Sequence, residues 1–190
     1  AKGLSPELIP QFSGMSGIKV VTGPGYSTTL LQLNDSRYPL DQKAFRQALS
    51  LAIDKEYLVA TVLLGQGTVG NPGFMHPKGA WASASWRDKV DRKNAAALLD
   101  KLGCVDKNGD GMRETPKGEK LDLVLLVYSS NPLRIRAAEI IAGWLAEIGV
   151  KVTVKALDSN TVDSLVWPDF DVGKGRNYDM SMWGWSASMQ

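Results

Sequence analysis

The sequence predicts an α/β fold, a mixed and mostly parallel sheet flanked by helices, and three adjoining stretches carry that prediction. Residues 121–128, LDLVLLVY, form an apolar, β-branched run with one charge near its start, the composition of a strand covered on both faces. Asn131-Pro132 then supplies a helix cap and a proline at the first helical position. After it Ile135, Ala138, Ile141, Ala142, Leu145 and Ile148 recur at helical spacing until Gly149. From Val150 the period drops to two, with Val150, Val152, Val154 and Ala156 facing one way and Lys151, Thr153 and Lys155 the other. Strand, helix and strand in this order make a βαβ unit, whose strands pair in parallel through a right-handed crossover.

The flanking elements follow from caps and periods. Ser5-Pro6-Glu7 opens a short helix through Leu8, Ile9 and Phe12 that Gly14 closes. Strands are expected over residues 18–22 and 28–33, joined by Gly23-Pro24-Gly25, a turn without the GxGxxG spacing or lysine of a phosphate-binding loop. Asp41 is expected to cap a helix with Phe45, Ala48, Leu49 and Ala52 on its apolar face, and Asp54 a second through Leu58, Val62 and Leu63 to Gly65. Residues 65–90 hold no sustained period, but Phe74, Trp81 and Trp86 among their glycines and prolines argue for an ordered loop over the sheet edge. A helix over about residues 91–102 turns Ala95, Leu98, Leu99 and Leu102 inward and stops at Gly103. A short helix over 159–166, a loop over 168–177 and a last strand over 178–186 complete the chain. Strict alternation in that strand places Trp183 and Trp185 on one face.

A chain of 190 residues, 44% hydrophobic, buries a sizeable core and fits one domain, 1–190. Its 22 basic and 20 acidic residues are interspersed, so no basic run suits nucleic acid or an anionic membrane. A single cysteine, Cys104, excludes an internal disulfide. There is no apolar run of about 18 residues and no amino-terminal signal pattern. Both ends are abrupt, so the chain reads as an excised piece, with residues 1–17 and 187–190 near the cuts and any targeting signal outside them.

The chemistry of enzymes is thinly represented. There is one histidine, His76, and no GxSxG, HExxH or CxxC, while Asp169 and Asp171 read as solvated loop acids. The one local motif with a mechanism runs from Asp106 to Gly111, DKNGDG, which matches the opening of a calcium loop. Asp106, Asn108 and Asp110 supply oxygens at positions 1, 3 and 5, Met112 a carbonyl at 7 and Glu114 a carboxylate at 9. Position 12, the bidentate glutamate of such loops, is Lys117, so the alternative is an Asn-Gly/Asp-Gly turn. The six tryptophans offer a second theme: Trp183 and Trp185 near a strand's carboxyl end, with Phe74 and Trp81 on the long loop, are either core or a ligand-stacking surface at the sheet edge, and Asn71 is a further loop candidate for ligand contact.

The segment YPLDQKAFRQALSLAIDKEYLVATVLLGQG over residues 38–67 resembles the extracytoplasmic solute-binding proteins of ABC transporters, in the oligopeptide, dipeptide and nickel-binding family. The likeness continues through ALLDKLG ending at Gly103, the Asp106 loop, WLAEIGVKV from Trp144 and YDMSMWGW from Tyr178. The resemblance implies the carboxy-terminal large lobe of a two-lobed type II periplasmic-binding-protein fold, with hinge crossings near Leu33-Asn34 and residues 186–190. It implies a monomeric receptor, periplasmic or lipid-anchored, that binds a peptide-like or oligosaccharide solute without cofactor or catalysis and delivers it to membrane permease subunits. Oligopeptide binders of this family tend to carry an aspartate three residues after the tryptophan matched by Trp185, where it pairs with the peptide ammonium. Here that position is Ser188, which forfeits a charge-assisted bond of about 1.5–3 kcal/mol. An α/β hydrolase and a calcium-dependent interaction module are the alternatives. The first lacks an identifiable nucleophile, and the second rests on the Asp106 loop.

Overall fold

The computed structural model describes residues 4–23, 27–71, 76–77, 89–171, 174 and 176–186. In chain order its elements are α1 (Ile9–Ser13), β1 (Ser27–Leu33), α2 (Lys43–Ala52), α3 (Lys55–Val62), α4 (Arg92–Lys101), β2 (Asp122–Tyr128), α5 (Pro132–Glu147), β3 (Lys151–Leu157), α6 (Ser159–Val166) and β4 (Met180–Ser186). The backbone groups into two compact units. One holds Ala1–Thr28, Lys55–Arg87 and Trp185–Gln190, and the other Thr29–Asp54 and Asp88–Gly184.

In the first unit a 3-10 turn over Pro6–Leu8 leads into α1, as the Ser5-Pro6 start predicts, and α3 carries one buried side chain, Val62. No strand forms over residues 18–22. Ile18 and Val21 are exposed, and β-branched composition without a neighbouring sheet edge or a covering layer does not hold a strand.

The second unit is built on the predicted βαβ core. β2 pairs in parallel with β3 from Asp122↔Lys151 to Tyr128↔Leu157, and in parallel with β4 at Leu125↔Met180 and Leu126↔Ser181. The sheet has four strands in the order β1-β4-β2-β3. β2 is covered on both faces: Val124, Leu126 and Tyr128 pack with Val162 and Val166 of α6, while Leu123, Leu125 and Val127 are buried on the alternate face. α5 packs on β3 and β2, and α2 packs on α4, with Phe45, Ala48, Leu49, Ala95 and Leu99 essentially inaccessible. Side chains cap α4, α5 and α6, with Asp91 accepting from the Asn94 amide, Asn131 from Arg134 and Asp158 from Thr161. Asp41 does not cap α2. A turn, in which the Asp41 and Gln42 amides donate to Arg37 and Pro39 carbonyls, delays the helix to Lys43, and Asp41 instead offers its carbonyl to Arg46.

Two polar side chains tie the elements together. Arg113 donates from Nε to the Ile148 carbonyl at 2.8 Å, from Nη1 to the Cys104 carbonyl and to Asp100, and its amide donates to Gly149, so it links the chain just past α4 and α5. Gly149 has φ +80°, and a Cβ there would lie 2.7 Å from Arg113 Cγ, so glycine is required by both conformation and space. Asn34, fully buried after β1, donates from Nδ2 to the Tyr178 and Arg176 carbonyls and accepts at Oδ1 from Ser36. Asp179 accepts the Val124 amide and pairs with Arg37 at 3.0 Å. No helix among the described residues is long and apolar enough to cross a membrane.

Candidate functional site

The strand order defines where a ligand fits. After β2 the chain crosses to β3 on one side, then returns through α6 to β4 on the other side of β2. The carboxyl ends of β2 and β4 therefore diverge at a topological switch point, the place where open α/β sheets form their binding crevice.

Three aromatic rings cluster beside these strand ends. The Trp183 ring of β4 lies 5.5 Å from Tyr128, the last residue of β2, at 58°, and 5.7 Å from Trp167 at 40°. These tilted contacts rest on Leu126, Val162, Val166 and Tyr178 beneath them. The Tyr128 hydroxyl donates to Asp163 Oδ1, and burial together with that carboxylate pushes the phenol well above its ordinary value, so it stays protonated. The indole Nε1 of Trp167 is buried and has no hydrogen-bond partner among the described residues.

Gly184 follows Trp183 on β4. A Cβ built there would overlap Arg134 Nη2 and lie 2.9 Å from Cζ, so the guanidinium occupies the space that any other side chain would fill. Arg134 stands in the first turn of α5, directly after the carboxyl end of β2. Burial lowers its pKa.

The residues expected from sequence are placed unequally. Trp183 is half-buried and packs in the aromatic cluster, whereas Trp185 is 49% exposed. Asn71 is half-buried with its Nδ2 buried and unpartnered among the described residues. Phe74, Trp81 and Ser188 lie outside the described residues. Tyr128, Arg134, Asp163 and Trp167 were not legible as a set, because strand order alone brings them together. The available signal was an arginine placed one turn after the central strand, opposite a glycine flanked by tryptophans.

The Asp106 loop does gather its acids: oxygens of Asp106, Asp110 and Glu114 lie within 4.8 Å of one another. Each already accepts donors. Asp106 takes the Gly109 and Gly111 amides, Asp110 takes the Met112 amide and the Lys120 ammonium, and the buried Glu114 takes the Lys107 amide and the Asn108 side-chain amide. These bonds and Lys120 hold Asp110 below the usual carboxylate range. Met112 contributes its amide to Asp110. A shallow cavity of 240 Å³ beside the loop, lined by Arg113 and Ile148, is remote in sequence position from the strands' carboxyl ends. Elsewhere Asp169 forms an exposed ion pair with Lys174, the environment expected of a loop acid.

All of residues 1–190 match the family of bacterial extracellular solute-binding proteins, family 5 Middle. The chain belongs to this family. The family-5 chain is 28% identical over 179 residues to Oligopeptide-binding protein AppA of Bacillus subtilis, covering 91% of this chain and 31% of that protein. It is 28% identical over 131 residues to the Periplasmic alpha-galactoside-binding protein of Rhizobium meliloti, covering 63% of this chain and 18% of that one. The structure of NikZ from Campylobacter jejuni in complex with Ni(L-His) superposes with a TM-score of 0.80 at 25% identity, covering 98% of this chain and 35% of that chain. The family-5 chain thus spans about a third or less of the length of these relatives.

Proposed function

We propose that this chain is one lobe of the substrate-binding component of an ABC importer, working outside the cytoplasmic membrane as a periplasmic or lipid-anchored monomer. The observation that carries the reading is the match of all of residues 1–190 to a solute-binding family, with the Tyr128, Trp167 and Trp183 rings clustered at the carboxyl ends of β2 and β4. The chain contributes half of an interlobe cleft, binds a peptide-like or oligosaccharide solute without chemistry, and hands it to permease subunits. Similarity to an oligopeptide-binding and to an alpha-galactoside-binding protein supports both solute classes. An indole face suits either the apolar face of a sugar or an apolar side chain.

A native mass spectrum of the full-length protein, purified without added solute, tests the reading. A retained mass in hexose units or in amino-acid residue units supports it, and an empty protein that binds nothing in a thermal-shift panel of peptides, oligosaccharides and metal chelates sinks it. With the solute identified, Trp185→Ala is expected to weaken binding about tenfold, the upper end of an aromatic contact's worth, with little change in melting. Trp183→Ala is expected to weaken binding and also lower the melting temperature, because its ring packs on Tyr128 and Trp167. Calorimetric titration of both variants checks the pair, and unchanged affinity in each would remove the tryptophans from the site.

The Asp106 loop is proposed to hold itself closed without a metal. Its carboxylates already receive five amides and one ammonium. Calcium at about 1 mM, within the range of weak extracellular loops, is expected to leave the melting temperature unchanged. A rise of several degrees, reversed by chelator, would restore the calcium reading with Asp106, Asn108, Asp110, Met112 and Glu114 as ligands.

A further inference from the structure

We propose that Arg134 anchors a carboxylate of the bound solute, a step that rests on the solute-binding reading and narrows it to acidic ligands. The placement comes first. Arg134 is in the opening turn of α5, on the face of β4 opposite the aromatic cluster, at the switch point between β2 and β4. Alternation along β4 turns Trp183 toward α6 and leaves the vacant Gly184 position toward α5, where the guanidinium lies.

The second observation is chemical. Among the described residues no carboxylate pairs with Arg134, its Nε is buried without a hydrogen-bond partner, and only its backbone amide is bonded, to Asn131. Other described arginines find oxygens: Arg113 takes two carbonyls and Asp100, and Arg37 pairs with Asp179. A guanidinium keeps its charge under nearly all conditions, and this half-buried one has no described anion beside it. Desolvation already pulls its pKa down. A planar fork whose Nε is unpartnered among the described residues matches a carboxylate, which accepts two parallel N–H bonds. Tyr128 is held protonated with its own proton committed to Asp163, so it brings no competing negative charge. Gly184 then has a specific use, since the absence of a Cβ leaves the room that the Nη2 end of Arg134 occupies against the strand.

The test uses the full-length protein with arginine labelled by nitrogen-15, and acetate as the probe. The Nε–Hε resonance that disappears in Arg134→Lys is expected to move saturably with sodium acetate and not with sodium chloride at equal ionic strength. Equal movement in both salts, or none, overturns the proposal. Two ligand pairs separate the sources of the carboxylate: trialanine against its carboxy-terminal amide, and digalacturonate against its methyl ester. In one pair the acid is expected to bind about tenfold or more tighter, the effect of one charge-assisted hydrogen bond. That preference is expected to vanish in Arg134→Gln, and a preference unchanged in the variant overturns the anchor. If a neutral solute binds equally well to wild type and Arg134→Gln, the anchor fails while the receptor reading stands. If acetate saturates Arg134 but no solute of any class binds, the anion site stands and the receptor reading fails.

Discussion

Arg113→Ala is expected to lower the stability of the protein by about 2–4 kcal/mol, because two main-chain carbonyls lose their donors and each unsatisfied buried acceptor costs about 1–3 kcal/mol. Those carbonyls belong to Cys104 and Ile148, 0% and 3% exposed, so water does not readily replace the guanidinium. The ion pair with Asp100 adds little, since that carboxylate side chain is 58% exposed. Thermal unfolding of the full-length protein is expected to shift down by about 5–15 °C for a domain of this size. Arg113→Lys restores only part of the loss, because one ammonium cannot reproduce a fork that reaches carbonyls beyond two helices. An unchanged midpoint in Arg113→Ala would mean that the region past α4 and α5 holds together by packing alone.

Asn34→Ala is expected to cost about 2–3 kcal/mol by the same reasoning, applied to the Tyr178 and Arg176 carbonyls that its Nδ2 serves. Asn34→Asp is the sharper variant. It keeps the shape but turns an acceptor toward two acceptors in a site with no solvent access, so it is expected to be worse than alanine at neutral pH. The buried carboxyl has its pKa raised by desolvation and by the facing carbonyls, and a raised acid loses stability as pH rises. The penalty therefore sets in above the unfolded aspartate pKa of about 3.9 and grows until the buried group ionises. Denaturation of Asn34→Asp at stepped pH checks the sign. If the variant were least stable in acid, Nδ2 would not be facing the carbonyls.

The core of the fold was legible because its signals are local. The run ending at Tyr128, the Asn131-Pro132 start, the apolar period of α5 and the Gly149 stop each follow from propensity and period, and the structure bears them out. Residues 18–22 show the limit of such reading, since an extended apolar stretch becomes a strand only where an edge is available. Asp41 shows another, since a turn one residue away claimed the position that the cap rule assigned. The site was less legible for a topological reason. Nothing local says that β4 returns beside β2, yet that adjacency sets Gly184 against Arg134 and Trp183 against Tyr128. The tryptophans were visible by type, whereas the arginine looked like one polar residue on a helix.

The place of β4 between β1 and β2 also sets an order of assembly. β2, α5 and β3 are contiguous, so they can zip together through short crossovers as soon as residue 157 is available. β1 comes far earlier in the chain but has β4 as its sheet neighbour, about 150 residues downstream, and its Asn34 anchor reaches for the same distant segment. In pulse-labelled hydrogen exchange the amides of β2 and β3 are expected to gain protection before those of β1. The first of these four strands in chain order is the last to be captured, so a chain caught partway has the βαβ core without the β1–β4 pairing.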